Sequence, residues 1–201
     1  MGLRYLLVAV GVLALVPSCA PPGTQESAVD CGSSPGARGR PRPGWYTYPW
    51  EFFASATLAE VRGCLEAGAR VNARNSWGTT PLHWAAGYSG DPAIITTLLA
   101  AGAEVNAQDR DGDTPLHFAA RFSDDPAVLR ALLAAGAEVN ARDEDGYTPL
   151  HLAAKWSDNP AVIEVLLASG ADPSAWDYEG KIPWDYAKDR AELNFGFLLR
   201  N

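Results

Sequence analysis

From residue 80 onward the chain repeats one arrangement of apolar and polar positions. In residues 114–147, Thr114-Pro115 opens a short run in which Leu116, Phe118, Ala119 and Ala120 are apolar. Thr is a strong helix N-cap, and Pro is tolerated at the first helical position because its missing N–H has no helical partner there. The pattern therefore predicts a short helix through about Ala120. Asp125-Pro126 repeats the device and opens a second helix, with Val128, Leu129, Leu132 and Leu133 on one face at helical spacing. Gly136 ends it as a left-handed cap. The acidic stretch Glu138 to Gly146 then reads as an extended excursion turning at Asp145-Gly146.

The same sentence of residues recurs every 34 positions. Thr80-Pro81-Leu82-His83 returns as Thr114-Pro115-Leu116-His117 and Thr148-Pro149-Leu150-His151. Leu98-Leu99 and Gly102-Ala103 return as Leu132-Leu133 and Gly136-Ala137, then as Leu166-Leu167 and Gly170-Ala171. A fixed period of this length signals stacked units, none of which buries its apolar face alone. The pattern T-P-L-H-x-A-A followed by L-L-x-x-G-A-x-V-N-A-x-D-x-x-G resembles the ankyrin repeat over about residues 49–201. The resemblance implies an all-α solenoid of helix-turn-helix units with short β-hairpin-like fingers. Each unit is one residue longer than the usual 33 of that family, the extra residue falling at Ser-x-x-Pro between the helices, so a reshaped loop is expected there. Asp172-Pro173-Ser174 stands where the other units read Glu-Val-Asn, and a less regular last finger is expected.

Both ends depart from the repeat as solenoid caps do. Residues 49–79 read as an N-terminal capping unit, with a first helix from Trp50 to Ala56 and a capping box Thr57-Leu58-Ala59-Glu60 opening a second that runs to Gly68. Cys64 takes the place of the first Leu of the Leu-Leu pair and reads as core. After full units 80–113, 114–147 and 148–181, residues 182–201 read as the C-terminal cap: Ile182-Pro183-Trp184-Asp185 replaces T-P-L-H, and Ala191 to Arg200 closes the stack. About five helix pairs are expected.

Upstream, residues 1–18 read as a signal peptide. Arg4 precedes an apolar run from Tyr5 to Val16, too short to span a bilayer. Val16-Pro17-Ser18-Cys19 resembles a bacterial lipobox with Pro at an unusual place, so Cys19 is the expected lipidation site. The expected destination is the periplasmic face of the outer membrane, or otherwise the soluble periplasm or the medium. Residues 19–48, rich in Pro and Gly and poor in aliphatic residues, read as a flexible linker with a reach of roughly 30 Å. If export delivers the chain to an oxidising compartment, Cys31 and Cys64 could pair; the competing expectation is that Cys64 is a small buried core residue and Cys31 a free linker thiol.

Charge narrows the partners. Lys and Arg number 16 against 24 Asp and Glu, a balance of −8. With no concentrated basic stripe, such a chain repels nucleic acid, and none is expected as a partner. Chemistry is equally sparse. His83, His117 and His151, the three histidines, recur at the repeat period and so form a ladder instead of converging on one ion. The resemblance gives them, together with Thr80, Thr114 and Thr148, a structural hydrogen-bonding role. Asp109-Arg110-Asp111-Gly112-Asp113 begins like a calcium loop, but its twelfth position is Ala120, which cannot ligate. No catalytic constellation, metal site or cofactor is expected.

The function expected is that of a non-catalytic, monomeric protein-binding scaffold of the cell envelope, touching membrane only through its lipid. The alternative is an accessory or protective factor for a periplasmic enzyme, or the neutraliser of a toxin. In the ankyrin family the residues seven and eight past the repeat Thr face the concave groove. That places Tyr88, Phe122 and Trp156 in an aromatic stripe flanked by Arg121 and Lys155, with Trp77, Arg110, Asp111, Glu144, Tyr147 and Tyr178 at the finger tips. Packing of the three rings against the enlarged interhelix loop is the competing expectation.

Overall fold

A computed structural model describes residues 49–188 and 190; the expected signal peptide, linker, Cys19, Cys31 and closing helix 191–200 lie outside them. Four helix pairs follow one another: α1 (Pro49–Ser55) with α2 (Leu58–Glu66), α3 (Pro81–Tyr88) with α4 (Pro92–Ala100), α5 (Pro115–Phe122) with α6 (Pro126–Ala134), and α7 (Pro149–Trp156) with α8 (Pro160–Ala168). A short α9 (Pro183–Ala187) starts the next. The first helices pack in one row, α1 on α3, α3 on α5, α5 on α7 and α7 on α9. The second helices form a parallel row behind them, α2 on α4, α4 on α6 and α6 on α8.

Each helix starts where its sequence says. Thr57 caps α2 through a reciprocal box: the Glu60 N–H donates to Thr57 Oγ1 at 3.3 Å, and the Thr57 N–H donates to Glu60 Oε2 at 2.8 Å. Asp91, Asp125 and Asn159 accept the N–H of Ala93, Ala127 and Ala161 at 2.9, 2.8 and 3.0 Å. The extra loop residue is organised rather than slack. Ser89 and Ser157 are buried, and their Oγ atoms accept the Asp91 and Asn159 N–H groups at 3.2 Å. This satisfies a donor that lengthening the loop would leave bare.

The core is the repeated apolar set. Leu82, Ile94, Ile95, Leu98, Leu116, Leu129, Leu132, Leu150 and Ile163 are fully buried between the rows. Because Leu132 is closed in by neighbouring repeats, its loss removes packing from more than one unit.

The fingers, expected to be β-hairpin-like, contain no strand among the described residues and are hydrogen-bonded turns. Asp143 shows why. Its N–H donates to the Tyr147 carbonyl at 3.0 Å, while its own Oδ1 accepts from the N–H groups of Asp145 (3.0 Å) and Tyr147 (2.8 Å). A carboxylate that ties two backbone donors closes the loop without a ladder. Successive turns join by single bonds, Arg110 N–H to Trp77 O at 3.0 Å, Glu144 N–H to Asp111 O at 2.9 Å and Tyr178 N–H to Asp145 O at 3.1 Å. Gly112 and Gly146 sit at φ +78° and +80° where the next turn approaches; a Cβ on Gly112 would lie 3.0 Å from Glu144 N. The last finger closes with the same bond, Asp177 N–H to Lys181 O at 2.9 Å, but at Asp172-Pro173-Ser174 it departs from the others: Asp172 Oδ1 accepts the Ser174 N–H at 2.8 Å and its Oγ–H at 2.6 Å. Asp172 still donates its N–H to Asn140 Oδ1 at 2.8 Å, as Glu104 and Glu138 do to Asn72 and Asn106 at 2.9 Å.

Candidate functional site

The faces of α3, α5 and α7 that look toward the fingers carry the polar and aromatic residues the core does not use. Beneath them runs the histidine ladder. The Thr80 N–H donates to His83 Nδ1 at 3.0 Å, which leaves the proton on Nε2, 3.0 Å from the Asp113 carbonyl of the next unit. His117 and His151 repeat this with Thr114, Thr148 and the carbonyls of Tyr147 and Lys181, at 3.1 and 3.2 Å. Burial is the main cause holding His83 and His117 down at about 4, so both are neutral struts. Asp185 replaces the histidine in α9, its Oδ2 accepting the Ile182 N–H at 3.1 Å.

Above the ladder lies a line of rings. Trp84 stacks on Tyr88 with centroids 5.8 Å apart, and Tyr88 stacks on Phe122 at 5.2 Å. Phe118 meets Trp84 and Phe122 edge-on at 5.6 and 5.7 Å. Gly87 makes the approach possible, since a Cβ there would sit 3.3 Å from Phe122 Cβ. The Arg121 guanidinium continues the line, 4.9 Å from the Phe122 ring centre and 5.6 Å from that of Trp156. Tyr88, Phe122, Trp156, Arg121 and Lys155 are thus brought together as the sequence suggested. Tyr88 and Phe122 border a cavity with the interhelix loops at Gly90 and Asp124, while Phe122 and Trp156 remain 40% and 50% exposed.

The finger side is uneven. Trp77 and Tyr178 are 61% and 72% exposed, and Arg110, Asp111 and Glu144 are exposed too. Tyr147, expected at a tip, is half-buried in a network instead: its hydroxyl lies 3.2 Å from that of Tyr186, which donates to Asp177 Oδ2 at 2.5 Å. Lys155 Nζ sits over both rings, 4.9 Å from Tyr147 and 5.1 Å from Tyr186.

One step toward the N-terminus the equivalent place is unfinished. Asp113 Oδ1 is buried and accepts no hydrogen bond among the described residues. Burial, then the nearby carboxylates of Asp109 and Asp143, push the Asp113 carboxyl up to about 7, against a smaller opposing pull from Arg121. Sequence reasoning met Asp113 only in the calcium-loop comparison and passed over Trp84 and Phe118. A signal existed: the position before each repeat Thr reads Thr79, Asp113 and Tyr147, and Lys181 stands before the equivalent Ile182, changing in every unit of an otherwise constant frame. Asp109, weighed as a calcium ligand, spends its Oδ1 on the N–H groups of Asp111 and Asp113, both at 3.0 Å.

Among the described residues no helix is long and apolar enough to cross a membrane. Cys64 is fully buried, as expected of a core residue, but it is disulfide-bonded, so the reading of it as a thiol gives way; the other half of the bond lies outside the described residues.

No curated protein matches the chain. Residues 82–177 match the family model described as Ankyrin repeats (3 copies), and residues 53–99 match that described as Ankyrin repeats (many copies). The two matches together run over residues 53–177, more than half of the 201, and with the stacked helix pairs and turns they establish that the chain belongs to the ankyrin repeat family, whose repeats generally serve as protein–protein interaction scaffolds.

Proposed function

We propose that this chain is an exported, non-catalytic scaffold that binds one partner protein along its concave face, anchored to the membrane by lipid on Cys19. The observation that carries the binding surface is the unbroken line Trp84, Tyr88, Phe122, Arg121 and Trp156, whose outer members stay half-exposed although apolar. Aromatic and Arg side chains dominate interface energetics when a partner desolvates them. The histidines, whose unperturbed imidazole suits acid–base work near neutrality, are spent as neutral struts on backbone carbonyls.

Pull-down from the envelope fraction with the full chain, in parallel with Phe122→Ala/Trp156→Ala, tests the surface. Loss of about 2 kcal/mol of affinity for the captured protein with little change in melting temperature supports recognition. A large fall in stability with unchanged affinity of the folded fraction overturns it and makes the rings packing alone. Export rests on the apolar run before Cys19 and gains support from the Cys64 disulfide, since such bonds persist in oxidising compartments. Metabolic labelling with a palmitate analogue separates lipidation from soluble export: equal label in wild type and Cys19→Ser would sink the anchor.

A further inference from the structure

The concave face has a cavity of about 190 Å³ between α3, α5 and the first two described fingers. Trp77, Trp84, Tyr88, Phe118 and Phe122 give it aromatic walls, Asp109, Asp111 and Asp113 close its finger side, and Arg121, held over the Phe122 ring, also lines it. Asp111 and Asp113 also border the neighbouring cavity of about 440 Å³, where Asp143, Glu144 and Asp145 face Arg121 and Lys155. Across the two cavities six carboxylates oppose two cations. Those cations are placed against rings: Arg121 lies over Phe122 and Trp156, Lys155 over Tyr147 and Tyr186, and neither forms an ion pair among the described residues.

We propose that this aromatic cavity receives a lysine or arginine side chain of the partner protein, its stem between the rings and its charge against the Asp113 carboxylate. The proposal rests on the concave-face reading above and names what that face recognises.

Three independent features point to a cation. The rings present π faces and edges to a space closed at one side by carboxylate, the surroundings in which a cation gains from both quadrupole and charge. Asp113 Oδ1 is removed from water with no donor to replace it, an arrangement that costs stability and that a bound cation relieves. Its counterparts are occupied from within: Thr79 Oγ1 accepts Trp84 Nε1–H at 2.8 Å, and the Tyr147 hydroxyl meets Tyr186 and lies 3.5 Å from Lys155 Nζ. The third is the balance of charge over the whole face, which draws a basic segment and repels an acidic one.

The test is selection from a random peptide library with the full chain as bait, followed by affinity measurement on the recovered peptides. Sequences enriched in Lys or Arg are expected, with binding that falls at least tenfold when the basic residue is replaced by norleucine or citrulline. The same loss is expected for wild-type peptide on Asp113→Asn. Glu164→Gln, on exposed α8 surface with the same change of charge, should stay within twofold and so excludes a general field effect. Peptides rich in acidic residues, or Asp113→Asn binding as wild type does, overturn the proposal. Groove-dependent peptides without a basic residue overturn it while leaving the concave-face reading intact. Absence of any peptide sensitive to Phe122→Ala/Trp156→Ala counts against both. Asp113→Asn removes no hydrogen bond from Oδ1, and its melting curve confirms that lost binding is not lost folding.

Discussion

Two kinds of buried titratable residue pull stability in opposite directions as pH changes. His83 and His117 are neutral in the fold at about 4, against an ordinary value near 6.5. Below 6.5 the unfolded chain binds protons that the folded chain refuses, so their contribution is complete above that value and is lost as pH falls toward 4. Full loss is about 3 kcal/mol for each. Urea titrations between pH 7.5 and 4.5 should show stability falling, and His117→Gln should flatten the slope; a slope unchanged by that substitution would refute neutral burial. Asp113 works the other way. Its carboxyl is pushed up to about 7 by burial and neighbouring carboxylates, so holding it ionised costs stability above that pH and nothing below about 4. Asp113→Asn is therefore expected to raise stability by about 1–3 kcal/mol at pH 8, the gain shrinking to zero near pH 4. A destabilised Asn variant at pH 8 would mean that Asp113 has a partner in solution. A residue that weakens the fold at neutral pH while facing a cavity is where a trade of stability for binding belongs.

At the scale of elements, the sequence was most readable where one residue type forces one local geometry. Thr-Pro, Asp-Pro and Asn-Pro mark the starts of α3 to α8, and the apolar spacing marks which face is buried. The fingers were less readable. An acidic run with Asp-Gly suggests a hairpin, and only coordinates show that Asp143 Oδ1 holds two backbone donors in place of a ladder. The outward tilt of Tyr147 into the Tyr186 and Asp177 network was likewise invisible, because it depends on residues 30 or more positions away. Two substitutions probe these layers. Leu132→Ala should cost about 2–5 kcal/mol, since its fully buried site lies between repeats that cannot all collapse around the void. Gly112→Ala should cost about 1–3 kcal/mol from positive φ and the 3.0 Å approach to Glu144 N. It should also weaken hydrogen-exchange protection at the Glu144 amide, which is bonded to Asp111 O. Normal protection there in the variant would show that the turns do not depend on their neighbours.

For the whole molecule, stability is a sum over units and the interfaces between them, so the ends decide how readily the stack frays. At the last described unit Tyr186 donates to Asp177, and Arg190 pairs with Asp158 at 2.5 Å. At the first described helix pair the chain carries a disulfide, at Cys64, a cysteine buried in the core cluster with Phe53 and Val61. A crosslink on the first described pair limits fraying of that unit. It also ties the fold to its compartment, because disulfides persist in oxidising compartments and are reduced in a cytosol. Protein taken from the envelope and unfolded in the presence of an alkylating agent, without reductant, should keep Cys64 unmodified; reduction beforehand should expose it and lower the melting temperature, with α1 and α2 losing exchange protection before α7 and α8. Cys64 alkylated without reductant, or a melting temperature indifferent to reduction, would remove both the crosslink and its support for export.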